Sequence, residues 1–107
     1  MKQTEAYGSM LLEKLKQEPN EPEHFANYGV YLAEQGKEEE AEDFFRRAIE
    51  LSPHNSTYYH NLGVCLMNQK KFTEALVYQQ SAVRLAPGFS IFEKGLEKCQ
   101  VAQNRES

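Results

Sequence analysis

Two stretches decide the fold: Asn20–Pro53, NEPEHFANYGVYLAEQGKEEEAEDFFRRAIELSP, and His54–Pro87, HNSTYYHNLGVCLMNQKKFTEALVYQQSAVRLAP. Each is 34 residues long, and they align without a gap. Eleven positions are identical: Asn27/Asn61, Gly29/Gly63, Val30/Val64, Leu32/Leu66, Gln35/Gln69, Lys37/Lys71, Glu40/Glu74, Ala41/Ala75, Ala48/Ala82, Leu51/Leu85 and Pro53/Pro87. Unrelated sequences of ordinary composition would share roughly two. A fixed period of this length marks an array of supersecondary units.

Within the first copy, Phe25, Tyr28, Tyr31 and Leu32 recur at helical spacing and predict a helix over about 21–35. Asn20 reads as its N-cap, with Glu23 as capping-box partner. Gly36 is placed to stop it in a left-handed conformation. A second helix follows from about Lys37; Glu38, Glu39 and Glu40 suit its positive dipole end, and Ala41, Phe44, Phe45, Ala48, Ile49 and Leu51 make its apolar face. The second copy repeats this with Tyr58, Tyr59, Leu62, Cys65 and Leu66 on a helix over about 56–69, then Phe72, Ala75, Leu76, Tyr78, Ala82, Val83 and Leu85 on its partner.

Outward from the copies lie two more helices. Residues 3–17 carry Ala6, Tyr7, Met10, Leu11 and Leu15 as an apolar stripe, interrupted by Gly8. After Pro87-Gly88, Ser90 with Glu93 reads as a capping box opening a helix to about Gln103, with Phe92, Leu96 and Cys99 on one side and a frayed tail over 104–107. The expected architecture is all-α, about six antiparallel helices in one domain over 1–107.

Composition narrows the function. Helix formers dominate, while Val, Ile and Thr are too sparse for a sheet. The net charge of −4 is uneven: residues 1–53 carry 12 acidic and 6 basic side chains, residues 54–107 carry 4 and 6. Nucleic-acid binding needs a clustered basic face that neither half supplies. The N-terminus has a single short apolar run, 10–12, so neither a signal peptide nor a membrane span is expected. Cys65 and Cys99 form no close pair; reduced thiols in the cytoplasm are the default.

The paired copies resemble the tetratricopeptide repeat family. The first supplies Phe25, Tyr28, Gly29, Leu32, Gly36, Ala41, Phe45, Ala48 and Pro53, and the second Tyr59, Leu62, Gly63, Leu66, Ala75, Ala82 and Pro87. Gly29, Gly63 and the four alanines are small because paired helices approach closely there. Two departures weaken the second copy: Gln79 stands where Phe45 does, and Lys70 replaces Gly36. The resemblance implies a right-handed α-hairpin solenoid, with residues 3–17 as the second helix of a preceding unit and 90–103 as the first helix of a following one. These flanking helices would complete a core that two units alone leave marginal.

The resemblance also implies that extended or helical peptides bind on a concave side lined by the first helix of each unit. Carried onto this chain, that surface comprises Glu23, Ala26, Asn27, Val30, Ala33 and Glu34, then Thr57, His60, Asn61, Val64, Met67 and Asn68, continued by Lys94, Lys98 and Val101. A clamp for a peptide's terminal carboxylate, as some members have, is not expected: only Asn61 matches, while Ala26, Val30, Ile91 and Gly95 occupy the other positions.

No catalytic constellation is visible. His24, His54 and His60 have no Cys or carboxylate at metal-ligand spacing on a shared face, and there is no nucleophile–base pair or phosphate loop. His24 reads as a surface residue, His54 as a turn residue, His60 as a groove contact, and the cysteines as core fillers. The expected function is therefore a non-catalytic adaptor or chaperone-like module for a protein or peptide, without cofactor or metal, binding neither nucleic acid nor membrane. The competing reading is a scaffold that self-assembles end to end through its terminal helices, acidic end against basic end, with Met10, Leu12, Ile91 and Val101 as apolar contacts.

Overall fold

The structure, a computed structural model, describes residues 2–106, and side chains from Thr4 to Glu106. It contains α1 (Lys2–Gln17), α2 (Pro22–Glu34), α3 (Glu38–Leu51), α4 (Ser56–Asn68), α5 (Phe72–Leu85) and α6 (Ser90–Glu106), with no strand among the described residues. The expected all-α architecture is the observed one. The chain divides into two compact units, residues 1–53 and 54–107, at the boundary between the two copies in the sequence.

In the first unit α2 packs along α3, and α1 packs on α2. Its core is Leu11, Ala26, Leu32, Ala41, Phe45 and Ala48. The face that α1 buries differs from the expected stripe. Leu11 and Gly8 are buried while Tyr7 and Met10 are 49% and 45% exposed. Gly8 sets this rotation: a Cβ there would lie 2.5 Å from Tyr31 Cζ, so the Tyr31 ring occupies the space a side chain would need. Tyr7 then meets the same ring edge-on, centroids 6.1 Å apart.

In the second unit α4 packs along α5, and α6 packs on both. Its core is Tyr58, Leu62, Cys65, Leu66, Ala75, Ala82, Phe92 and Cys99, together with buried Gln79. The α6 helix continues past Gln103, whose Nε2 donates to Thr73 Oγ1 at 3.2 Å, so residues 104–106 are helical rather than frayed; Ser107 lies outside the described residues. Glu93 does cap the start of α6, but from Gly88, whose N–H donates to Glu93 Oε2 at 3.3 Å.

The two hairpins share backbone geometry at both helix ends. The N-caps are Glu21 (φ −89°, ψ 109°) and Asn55 (φ −94°, ψ 108°), each accepting from the N–H two residues on. Pro22 displaces the expected start from Asn20, because its fixed φ and missing N–H suit the first helical position. At the other end Lys37 N–H donates to Leu32 O and Gly36 N–H to Ala33 O; Lys71 N–H donates to Leu66 O and Lys70 N–H to Met67 O. This paired bonding satisfies the orphan carbonyls of a helix end and requires one residue at positive φ. Gly36 takes φ +82°, and Lys70 takes φ 63° despite its Cβ.

Candidate functional site

In the first unit the expected surface lies on α2. Glu23, Asn27, Val30 and Glu34 are exposed, Val30 by 38%, and Ala33 is half-buried. Ala26 is a correction: it is 4% exposed and belongs to the core. It falls three residues before Gly29 and six before Leu32, the two other buried residues of α2, so all three share the packed face. His24 is also less free than a surface histidine. Its side chain is 15% exposed, and Nε2 meets Glu18 Oε1 at 2.7 Å.

In the second unit α4 and α6 enclose a cavity of about 490 Å3. The α4 wall is His60, Val64, Met67 and Asn68, spaced four, seven and eight residues from the first and therefore on one helix face. The α6 wall is Ser90, Ile91, Lys94, Gly95 and Lys98. Six residues expected from the sequence are thus brought together, whereas Thr57, Asn61 and Val101 do not line the cavity. The lining also takes in Ile91 and Gly95, which the sequence places at clamp positions unable to hold a carboxylate, and Ser90, which it places only at a helix cap. Helical spacing carries a signal for two of them, since Ile91 and Gly95 lie seven and three residues before Lys98 and so share its face.

The floor is built from side chains of three helices. Gln79, from α5, is fully buried, and its Oε1 lies 3.1 Å from His60 Nδ1. The His60 ring packs against Phe92, centroids 5.3 Å apart. Two glycines make room: a Cβ on Gly63 would stand 2.7 Å from Gln79 Cδ, and one on Gly95 2.9 Å from His60 Cε1. Gln79 Nε2 is buried without a hydrogen-bond partner. Gln79 is therefore more than a lost aromatic, because it holds the ring of His60.

The chemistry available is recognition. Lys94 and Lys98 are exposed, no lining residue is acidic, and Val64 and Ile91 offer apolar surface, 38% and 60% exposed. Among the described residues, no three His, Cys, Asp or Glu side chains gather as metal ligands, and no helix is long and apolar enough to cross a membrane. Both thiols are buried. Burial pushes the Cys99 thiol above its ordinary pKa, and the thiol donates to Phe72 O at 3.3 Å, the setting of an inert core cysteine.

A tetratricopeptide repeat family model matches residues 32–90. No curated protein sequence matches the chain. Among solved structures, the chain is similar to the Sgt2 TPR domain from Aspergillus fumigatus, with TM-score 0.90 and 17% identity over 98% of this chain and 71% of that one. It is similar to the Arabidopsis OM64 TPR domain, with TM-score 0.86 and 17% identity over 92% and 82% of the two chains. It is also similar to a mutant Thermobaculum terrenum O-GlcNAc transferase, with TM-score 0.85 and 24% identity over 90% of this chain, which spans 18% of that enzyme. At these identities the likeness is one of fold.

Proposed function

The chain belongs to the tetratricopeptide repeat family, and on that premise we propose that it is a non-catalytic adaptor whose second unit takes a peptide of a partner protein into the cavity between α4 and α6. The observation that carries this reading is the cavity itself. Large enough for one or two side chains of an extended or helical segment, it is walled by apolar and small groups and rimmed by a few polar ones. In the first unit, Val30 at the position of Val64 presents the same partly exposed apolar surface on α2. Buried thiols outside any disulfide suit a reducing compartment such as the cytoplasm.

Capture of partners from native lysate tests the reading. Val64→Glu and Met67→Glu place charge in the cavity wall and should abolish capture while the melting temperature stays close to the parent's. Gln80→Glu, on exposed α5 surface outside the cavity, should leave capture intact. Equal loss from both faces would sink the proposal.

Self-assembly is the second reading, favoured by apolar exposure at Tyr7 and Met10 on α1 and at Ile91 and Val101 on α6. Its electrostatic half is weak. Residues 1–20 and 88–107 each carry three acidic and three basic side chains, so the charge asymmetry resides in α2, α3 and the α4–α5 hairpin, not in the terminal helices. Light scattering over a concentration series should show a constant mass. A mass that climbs with concentration would favour assembly instead.

A further inference from the structure

Resting on the adaptor reading above but not on its cavity, we infer that the α2 face of the first unit docks a basic amphipathic helix of the partner protein, one with Lys or Arg on either side of an apolar residue. Charge points there first. The two hairpins share a backbone, yet residues 20–53 carry nine acidic and three basic side chains, while residues 54–87 carry one and three. Little inside the first unit neutralises the excess. Arg46 is held by Glu42 at 2.8 Å, and Arg47 lies over the Phe25 ring and 3.5 Å from Glu50. Residues 1–19 are balanced at three acidic and three basic side chains. A field of this sign draws cationic segments.

Burial then selects the helix. Val30, 38% exposed, is the one large apolar residue that this hairpin leaves in solvent, and α3, for all its acids, exposes none. On α2, Asn27, Val30 and Glu34 stand four, seven and eleven residues after Glu23; all four are exposed and lie within about 60° of arc. Two carboxylates, their backbone positions about 16 Å apart along the axis, thus bracket an apolar contact. Ala33, one turn from Val30 and half-buried, is small enough to let a second helix approach closely. The helix has no Lys or Arg of its own, and Glu34 makes no ion pair among the described residues. The aligned positions of α4 are an internal control: Asn61 and Val64 are kept, but Thr57 and Asn68 stand where α2 has its glutamates. The apolar contact is common to both copies, and the carboxylates are what the first adds. A docked helix presents side chains at the same spacing, so cations at the ends of its stripe meet Glu23 and Glu34 while an apolar residue meets Val30.

Panning on the full chain tests this, with a library of alanine-based helices of about 18 residues in which one stripe position is fixed as leucine and the others are randomised. Selected helices should carry Lys or Arg on both sides of the leucine. Their binding should weaken about tenfold in Glu23→Gln/Glu34→Gln, the size of two exposed ion pairs in the upper part of their usual range, and should weaken as salt is raised. Glu39→Gln/Asp43→Asn makes the same change of net charge on exposed α3 surface and should leave most of the binding in place. Helices selected without a basic preference, or none selected at all, would overturn the inference. Equal losses from the two pairs of substitutions would also overturn it, because the general field and not α2 would then be read. Basic helices that bind the Glu23→Gln/Glu34→Gln protein unchanged but are lost in Val64→Glu would overturn it too, and leave the cavity reading standing. Basic selection that depends on Glu23 and Glu34 would support it even where Val64→Glu leaves partner capture intact and the cavity reading fails.

Discussion

The two hairpins have one backbone and two cores. Their helix ends agree in φ and ψ to within a few degrees at the N-caps, and the same pair of hydrogen bonds closes both turns. Yet where Gly29 of α2 faces Phe45 of α3, Gly63 and His60 of α4 face Gln79 of α5. In the first hairpin an aromatic ring fills the hollow above a glycine. In the second a carboxamide fills it, and the histidine that replaces alanine supplies the polar partner the amide needs. The register is thus set by small residues and turn geometry. The filler of the hollow is free to change provided its neighbour changes with it.

The sharpest way to break this comparison is to exchange the fillers. Phe45→Gln buries an amide in a hairpin that carries Ala26 at the position of His60 and so offers no polar side chain from there, and should cost about 3–5 kcal/mol in urea unfolding. Gln79→Leu removes a buried amide of similar volume and should stay within about 1.5 kcal/mol of the parent. Comparable losses from the two would show that Gln79 is as indispensable as Phe45, and that the hollow is not interchangeable.

Filling the glycines gives a smaller and more telling contrast. An alanine Cβ at Gly29 would sit 2.7 Å from Cε1 of a rigid ring; at Gly63 it would sit 2.7 Å from a side chain with three rotatable bonds. Overpacking of this kind costs about 1–3 kcal/mol, against which alanine regains about 1 kcal/mol of helix propensity. Gly29→Ala should therefore lower stability by about 2 kcal/mol, while Gly63→Ala should be nearly neutral in the melt but disturb the His60 resonances. A Gly63→Ala protein as unstable as Gly29→Ala would mean that Gln79 is held as firmly as a ring.

The smallest effect concerns the turns. Lys70 adopts the left-handed conformation at a cost of roughly 1 kcal/mol that Gly36 avoids. Gly36→Lys should destabilise by about that amount, and Lys70→Gly should stabilise by somewhat less, since glycine also loosens the unfolded chain. Thermal melts resolve both. If Lys70→Gly melts clearly lower, Lys70 has a compensating contact that glycine lacks.

How far the sequence could be read follows from what each feature depends on. The helices, the turns and the strain at Lys70 are local in the chain, and the repeat alignment exposes them directly. Two thirds of the cavity lining was legible for the same reason: His60, Val64, Met67 and Asn68 recur at helical spacing, and Lys94 and Lys98 lie one turn apart. The remainder depends on which face of a helix is packed. Ala26 was placed on the binding surface because alanine suits a groove and a core equally, and only its alignment with Gly29 and Leu32 distinguishes the two. The α1 stripe was read from its large side chains, whereas Gly8, the smallest residue present, determines its orientation. The His60–Gln79 pair spans 19 residues and belongs to no periodic pattern, so composition could show only that an aromatic was missing.

The dependence of Gln79 on His60 also constrains how either hairpin core could turn into the other by single substitutions. A hairpin of the first kind that acquires the glutamine first carries an unpaired buried amide. One that acquires the histidine first must find room for a ring beside a phenylalanine already filling the hollow. Both intermediates are worse than either end point, so the two cores are separate solutions with a fitness valley between them, and the order of substitution matters as much as the outcome. Gly95 lies on the far side of that valley: it is tolerable only as long as the imidazole occupies the space its missing side chain leaves.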